Sequence, residues 1–226
     1  MAGGIEKMSL DLARGLTSRG HKVTIISHDH ENAESFFNWP DGVDWIKLGI
    51  GSIHSKNNLI TRMKRLRKIR EIVKNEKFDV AVGFQIGSFA LIRLATVGIG
   101  IRIIAAERNA PTLFKFIKHG KSKQFFSNFI LISATKIAIQ FEDYKKYYPK
   151  WLQKKLIVTP NWVAKREIKK RIKNHGTYKI LYLGRLSYQK NVEVLIRAFK
   201  DLPDEFSLKI VGAGPNLMKL KHLVEN

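Results

Sequence analysis

Short β-branched runs separated by helical stretches recur along almost the whole chain, and this alternation limits the possible fold more than any other feature. Ile5, Met8, Leu12 and Leu16 lie at helical spacing, and Gly20 closes that helix before the run from Lys22 to Ser27. Further strands are expected at Val43 to Leu48, Phe78 to Phe84, Ile101 to Ala106, Lys136 to Phe141 and Leu156 to Thr159. Helices are expected between most of them, at Leu59 to Val73, Ser88 to Thr96 and Lys123 to Ala134. Strands that alternate with helices pair in parallel through crossovers, so the pattern implies a doubly wound, Rossmann-like α/β fold with helices on both faces of the sheet.

The alternation breaks once. Pro160, Asn161 and the charged run from Lys165 to Lys173 have loop composition, after which a strand (Lys179 to Leu186), a helix (Val192 to Asp201), a strand (Ser207 to Val211) and a helix from Pro215 follow. This divides the chain into an N-terminal domain (1–161), a linker (162–176) and part of a second domain (177–226). Two strands and two helices do not close a doubly wound core, so the second domain is expected to be only half present. At the other end, Gly3-Gly4 stand where a strand-to-helix turn normally brings backbone amides to a ligand, yet no strand precedes them. The first domain is therefore expected to lack its initial, central strand. That loss leaves neighbouring strands unpaired and the chain prone to aggregate.

Composition narrows the chemistry. The chain has no cysteine, which excludes disulfide frameworks, zinc ribbons, iron–sulfur clusters and thiol catalysis and fits a reducing, cytoplasmic setting. Lysine and arginine number 41 against 19 acidic residues, a net charge of +22, so phosphates, nucleic acid and anionic lipid all qualify as partners. No apolar run approaches the ~18 residues of a membrane span, and the N-terminus does not read as a signal peptide.

One motif is specific. Tyr182-Leu-Gly-Arg-Leu-Ser-Tyr-Gln-Lys-Asn191, followed by the helix Val192 to Phe199, resembles the start of the donor domain in family 4 glycosyltransferases. Four more segments agree in order and spacing: Gly3-Gly4-Ile5-Glu6, Arg19-Gly-His-Lys-Val23, Val158-Thr-Pro-Asn161 and Lys209-Ile-Val-Gly-Ala-Gly-Pro215. The resemblance spans nearly the whole chain. It implies the GT-B fold, in which two Rossmann-like domains face each other, the first holding the acceptor and the second a nucleotide sugar. It also implies retaining transfer to a glycan or lipid-linked acceptor in polysaccharide biosynthesis. The nucleotide-diphosphate sugar is then a co-substrate, with no metal or other cofactor. The family's Glu-x7-Glu motif, whose carboxylates contact sugar and ribose, has no counterpart before Asn226, and the chain is expected to be inactive as a fragment.

A departing diphosphate needs its developing charge neutralised, which paired cations can do without a metal. By resemblance Arg185 and Lys190 supply them, beside Gly184 of the same motif; as a pair of basic residues they also fit a solvated surface. Gly3 and Gly4 are carried over as donor contacts at a helix N-terminus, with a plain N-terminal turn as the other reading. Asn161 is carried over as a donor contact and equally fits a hinge turn. Gly212 and Gly214 lack the third glycine of a dinucleotide fingerprint and fit either a donor contact or a tight turn. Where many members of the family place a catalytic histidine, the chain has Glu107 and Arg108, taken here as the catalytic pair. Arg108 stays protonated and could hold an anionic substrate but not act as a base, and a local ion pair is the plainer alternative. His28 and His30 offer a metal site only if their strand continues, which is not expected.

Between Lys56 and Glu76, eight basic residues accompany two acidic ones, with Ile60, Met63, Leu66, Ile69 and Val73 along one helical face. Such a helix packs on the sheet with its cations in water, or docks on the anionic inner face of a membrane, with Lys145 to Trp151 extending the surface. A second reading of the chain, from a different class, is a non-catalytic basic module binding nucleic acid or anionic membrane, with Tyr144, Tyr147 and Tyr148 exposed for stacking. No nucleic-acid-binding signature supports it.

Overall fold

The computed structural model describes residues 3–51, 58–163 and 176–225, and every expected strand and helix is present within them. The chain forms two compact units, Met1–Ala164 and Lys165–Asn226. The charged run from Lys165 to Lys173, and Lys56 at the start of the basic stretch, lie outside the described residues.

In the first unit, helix α1 (Gly4–Thr17) begins after Gly3, and Leu10 and Ala13 are the buried residues of its inner face. Gly20, at φ +85°, ends it by donating to the Thr17 carbonyl at 2.9 Å, a turn that a side chain would strain. Strands β1 (Val23–Ser27) and β2 (Val43–Lys47) then pair in parallel, from Val23 opposite Val43 to Ser27 opposite Lys47. Helix α2 (Leu59–Glu76) leads to β3 (Val80–Phe84), and α3 (Gln85–Ala95) follows without a loop because Gln85 takes up φ +64°. Strands β4 (Arg102–Ala106), β5 (Lys136–Ile139) and β6 (Leu156–Val158) continue the second sheet, separated by helices α4 (Gly120–Leu131) and α5 (Lys150–Gln153).

All pairings in this unit are parallel, as the alternation requires, but the strands divide into two sheets: β1-β2 and β3-β4-β5-β6. Among the described residues β1 has one paired edge and so does β3, and the interruption expected from the sequence falls between them. The two sheets are joined through helix packing instead. Leu48, Ile69, Val73 and Ala95 form a buried cluster to which Ile26 of β1 and Ile101, just before β4, both contribute. The main core lies over the larger sheet, where Phe89, Leu131, Ile137, Ile139 and Leu152 are almost wholly buried. Gly83 permits this packing: a Cβ there would come within 2.5 Å of the Phe89 Cα.

Two elements end where their caps dictate. Helix α2 runs past Val73 to Glu76 because Lys77, at φ 50°, supplies the left-handed terminus. At its start the Asn58 side chain accepts from the Thr61 amide at 2.8 Å. Asn58→Ala should destabilise the first unit by about 1 kcal/mol, read as a lower urea midpoint with unchanged slope.

The second unit is a parallel pair, β7 (Tyr178–Leu183) and β8 (Phe206–Val211), in register from Tyr178 opposite Phe206 to Leu183 opposite Val211. Helices α6 (Val192–Phe199) and α7 (Leu217–Glu225) cover one face through Leu186, Val192, Ile196 and Leu220. On the other face Leu181 and Leu183 are 64% and 76% exposed, so the pair buries one side only, whereas a parallel sheet is ordinarily covered on both.

Candidate functional site

The residues singled out in the second unit are brought together by two loops that touch through their backbones. After β7 the Gly184 amide still donates to the Val211 carbonyl at 3.1 Å, and the Leu186 amide to the Ala213 carbonyl at 2.9 Å. The loop after β8 lies so close that a Cβ on Gly212 would sit 1.9 Å from the Gly184 oxygen, and one on Gly214 would sit 2.2 Å from the Leu186 oxygen. These glycines hold the β8 loop against the β7 loop by allowing this approach. Arg185 and Lys190 stand at either side of the turn that enters α6, both exposed. Among the described residues no acceptor pairs with either side chain. Asn191, at φ 46°, turns the chain into α6, and the Val194 amide donates back to its carbonyl at 3.2 Å.

Acidic neighbours of this turn are neutralised elsewhere. Glu193, in the first turn of α6, receives Lys219 at 2.7 Å and Arg197 at 3.1 Å, and those bonds hold its carboxyl below the usual range. The positive charge of Arg185 and Lys190 therefore lies next to a helix N-terminus whose nearest carboxylate is already paired, a setting that favours an anion.

In the first unit, Gly3 and Gly4 occupy the start of α1, and the Glu6 carboxylate folds back over Gly3, where a Cβ would meet it at 2.3 Å. Glu107 and Arg108 follow β4 directly, and the Glu107 amide prolongs the sheet by donating to the Ala138 carbonyl at 2.9 Å. The two side chains then part. Arg108 reaches to the end of β6, donating through Nη1 to the Thr159 carbonyl at 3.1 Å and to Asn161 Oδ1 at 3.5 Å, so the structure joins Arg108 and Asn161. Glu107 lines a pocket of about 190 Å³ with Gln85, Gln124, Asn128 and Tyr148. Burial pushes its carboxyl up to about 7, and Glu107 in turn, after burial itself, raises the Tyr148 phenol.

Three buried polar atoms in this region, Glu107 Oε1, Arg108 Nε and Thr159 Oγ1, have no hydrogen-bond partner among the described residues. Such atoms are rare in folded proteins, and each calls for an explanation such as a catalytic role, a bound water or an ion. Near the other sheet, His28 is lowered by burial and then by the charge of Arg65; no group of three potential metal ligands occurs among the described residues.

Gln85, Gln124 and Asn128 join the site without belonging to any of the motifs above. Gln85 had a signal, because a glycine-bearing strand running straight into a helix at Gly83-Phe-Gln85 leaves no room for a loop. The other two come from α4 and become site residues only through the helix's orientation.

Two expectations about exposed residues need correction. Tyr148 is 8% exposed and Tyr144 packs against the same core, since the turn from Glu142 to Tyr147 folds onto the sheet; neither forms an open stacking surface. In α2, Ile69 and Val73 are buried but Ile60 and Met63 are 66% and 45% exposed, so the apolar face covers the core over its second half only. Arg65, Lys68 and Arg70 donate to the carbonyls of Ile50, Leu48 and Ala95, so these cations hold the segment after β2 and the end of α3 within the unit.

Comparison with known proteins agrees with this architecture. Residues 3–131 match the family model of the glycosyl transferase 4-like domain, and residues 163–226 match that of glycosyl transferases group 1. An uncharacterized glycosyltransferase of Haemophilus influenzae is 23% identical over 235 residues, covering 99% of this chain and 62% of the relative. Among solved structures, the lipopolysaccharide outer core galactosyltransferase WaaB in its apo form aligns with a TM-score of 0.65 at 16% identity, over 99% of this chain and 61% of that one. Anabaena Alr3699/HepE in complex with UDP and glucose aligns with a TM-score of 0.66 at 12% identity, over 99% and 62%. The chain thus spans about three-fifths of the length of the proteins it matches.

Proposed function

The chain belongs to the glycosyl transferase 4-like family, and from that premise we propose that it carries the acceptor side and part of the donor side of an enzyme moving a sugar from a nucleoside diphosphate to a glycan or lipid-linked acceptor. The observation that carries this is the glycine-locked pair of loops presenting Arg185 and Lys190 at the start of α6. Two cations on one turn suit a diphosphate, and charge-assisted bonds from both neutralise the leaving group as it departs, without a metal.

The glycosidic bond to the diphosphate oxygen breaks, the acceptor oxygen bonds to the anomeric carbon on the same face, and the acceptor's proton passes to the diphosphate. Retention of configuration belongs to this proposal. On the acceptor side, Glu107 sits close to half protonation near neutral pH and can accept or give a hydrogen bond to an acceptor hydroxyl. Arg108 serves as a positioning residue that ties the end of β4 to Thr159 and Asn161. Gly212 and Gly214 shape the donor loop through close packing.

Arg185→Ala and Lys190→Ala should each weaken binding of a nucleoside diphosphate by about 10- to 100-fold, the loss expected for one charge-assisted contact. Calorimetric titration with UDP and with GDP measures this. Unchanged affinity in both variants would remove the donor-site assignment.

A further inference from the structure

Tyr182 carries a hydroxyl where packing asks only for carbon. It lies on the covered side of β7, half-buried, with its ring against the cluster of Leu186, Val192, Ile196 and Leu220. A phenol in such a place needs a polar partner for its oxygen. Tyr182 Oη donates to the Arg185 carbonyl at 3.3 Å, so the side chain folds back along the turn that ends its own strand. Gly184 leaves the room for this: a Cβ there would stand 2.9 Å from the phenol oxygen and 3.3 Å from the ring carbon that bears it.

The bond completes the fixing of the Arg185 backbone. The amides on either side are engaged across the two loops, Gly184 with the Val211 carbonyl at 3.1 Å and Leu186 with the Ala213 carbonyl at 2.9 Å. The Arg185 carbonyl accepts from the Ser187 amide at 3.1 Å as well as from the phenol. With these groups held, the Cα–Cβ bond of Arg185 has a set direction, while the guanidinium stays exposed. A guanidinium on a fixed stem has less freedom to lose when it meets an anion. We propose that Tyr182 is a positioning residue of the donor site, aiming the Arg185 guanidinium through the Arg185 carbonyl.

The second cation is held in another way. The Lys190 amide donates to the Ser187 carbonyl at 3.0 Å and the Asn191 amide to the Tyr188 carbonyl at 3.1 Å, so the turn around Lys190 is closed by its own backbone. Among the described residues no side chain of β7 bonds to that turn. The influence of Tyr182 therefore falls on one cation of the pair and not on the other. A phenol that served only to satisfy its own oxygen would have no such preference, because loosening the small core of this unit disturbs both cations alike. The inference rests on the diphosphate site proposed above and adds to it a residue that acts from inside the unit.

The test is calorimetric titration of the full chain with UDP, arranged as two cycles that combine Tyr182→Phe with Arg185→Ala and with Lys190→Ala. Phenylalanine keeps the ring in the core, so the urea midpoint should stay close to that of the parent. UDP affinity should fall about fivefold, the loss expected for one neutral hydrogen bond. In the Lys190→Ala background the same loss of about fivefold should remain, and in the Arg185→Ala background it should vanish, since no guanidinium is left to aim. A lowered urea midpoint does not blur the outcome, because the cycles compare backgrounds that carry the same substitution. The proposal is overturned if Tyr182→Phe binds UDP as the parent does, or if its loss is equal in all three backgrounds, the mark of a phenol that serves only the core. If Arg185→Ala leaves UDP binding unchanged, the donor reading falls and this inference with it. If Arg185→Ala weakens binding but the Tyr182→Phe loss persists beside it, the role of Tyr182 falls alone.

Discussion

Glu107→Gln should stabilise the chain by up to about 3 kcal/mol at pH near 8 and change little at pH near 4. The cause is the burial that lifts the Glu107 carboxyl from 4.5 to about 7. Between those values the folded chain holds a proton that the unfolded chain has released, so wild-type stability falls as pH rises through the window and is level above it. Glutamine fills the same space without ionising and removes the loss. Arg108, the charged neighbour, does not compensate, because its guanidinium is turned to Thr159 and Asn161. Urea unfolding across pH reads the difference directly. A wild type and variant with parallel profiles would show that the carboxyl is solvated, and the pocket beside it would lose its main electrostatic feature.

The second large effect is expected at Gly212. A single added methyl would stand 1.9 Å from the Gly184 carbonyl oxygen, and both partners are backbone, so relief requires one loop to move. Overpacking of this kind costs about 3 kcal/mol, enough to undo a unit whose sheet is covered on only one face. Gly212→Ala should therefore open hydrogen exchange in β7 and β8 while leaving β4 and β5 protected, and diphosphate binding should fall with it. Full protection of β7 in the variant would mean that the two loops are not locked together. Gly4, with nothing within 4 Å of its Cβ position, should accept alanine without loss of stability, which separates glycines that permit close packing from those that do not.

Much of the architecture could be read directly because parallel strands that are buried or half-buried need β-branched runs. Val23 to Ser27, Arg102 to Ala106 and Phe206 to Val211 carry that signal without ambiguity. Element ends were less legible, since they depend on caps. The strand expected from Phe78 begins at Val80, after Lys77 closes α2 in a left-handed turn and Phe78 packs against the helical cluster. The turns at Pro111–Phe116 and Glu142–Tyr147 carry no legible signal because three-residue periodicity over so short a span leaves little pattern. Motif residues were legible as types and positions, but their contacts were not. Nothing in the spacing shows that Gly212 and Gly214 meet the opposite loop, or that Arg108 turns from Glu107 toward Asn161. The orientation of α4 was hidden for a different reason: its periodicity does not say which side faces inward, and only the fold shows Gln124, Asn128 and Leu131 turned to the pocket while Phe125, Phe126 and Phe129 stay exposed.

The function proposed for this chain stands on a diphosphate site formed by Arg185 and Lys190 on the second unit. It is tested most directly by titrating the chain with a nucleoside diphosphate and the matching monophosphate, alongside the double variant R185A/K190A. The diphosphate should bind at least about tenfold more tightly than the monophosphate, the preference should weaken with salt, and the double variant should lose it. Equal affinity for the two nucleotides, or a preference that survives removal of both cations, would contradict it.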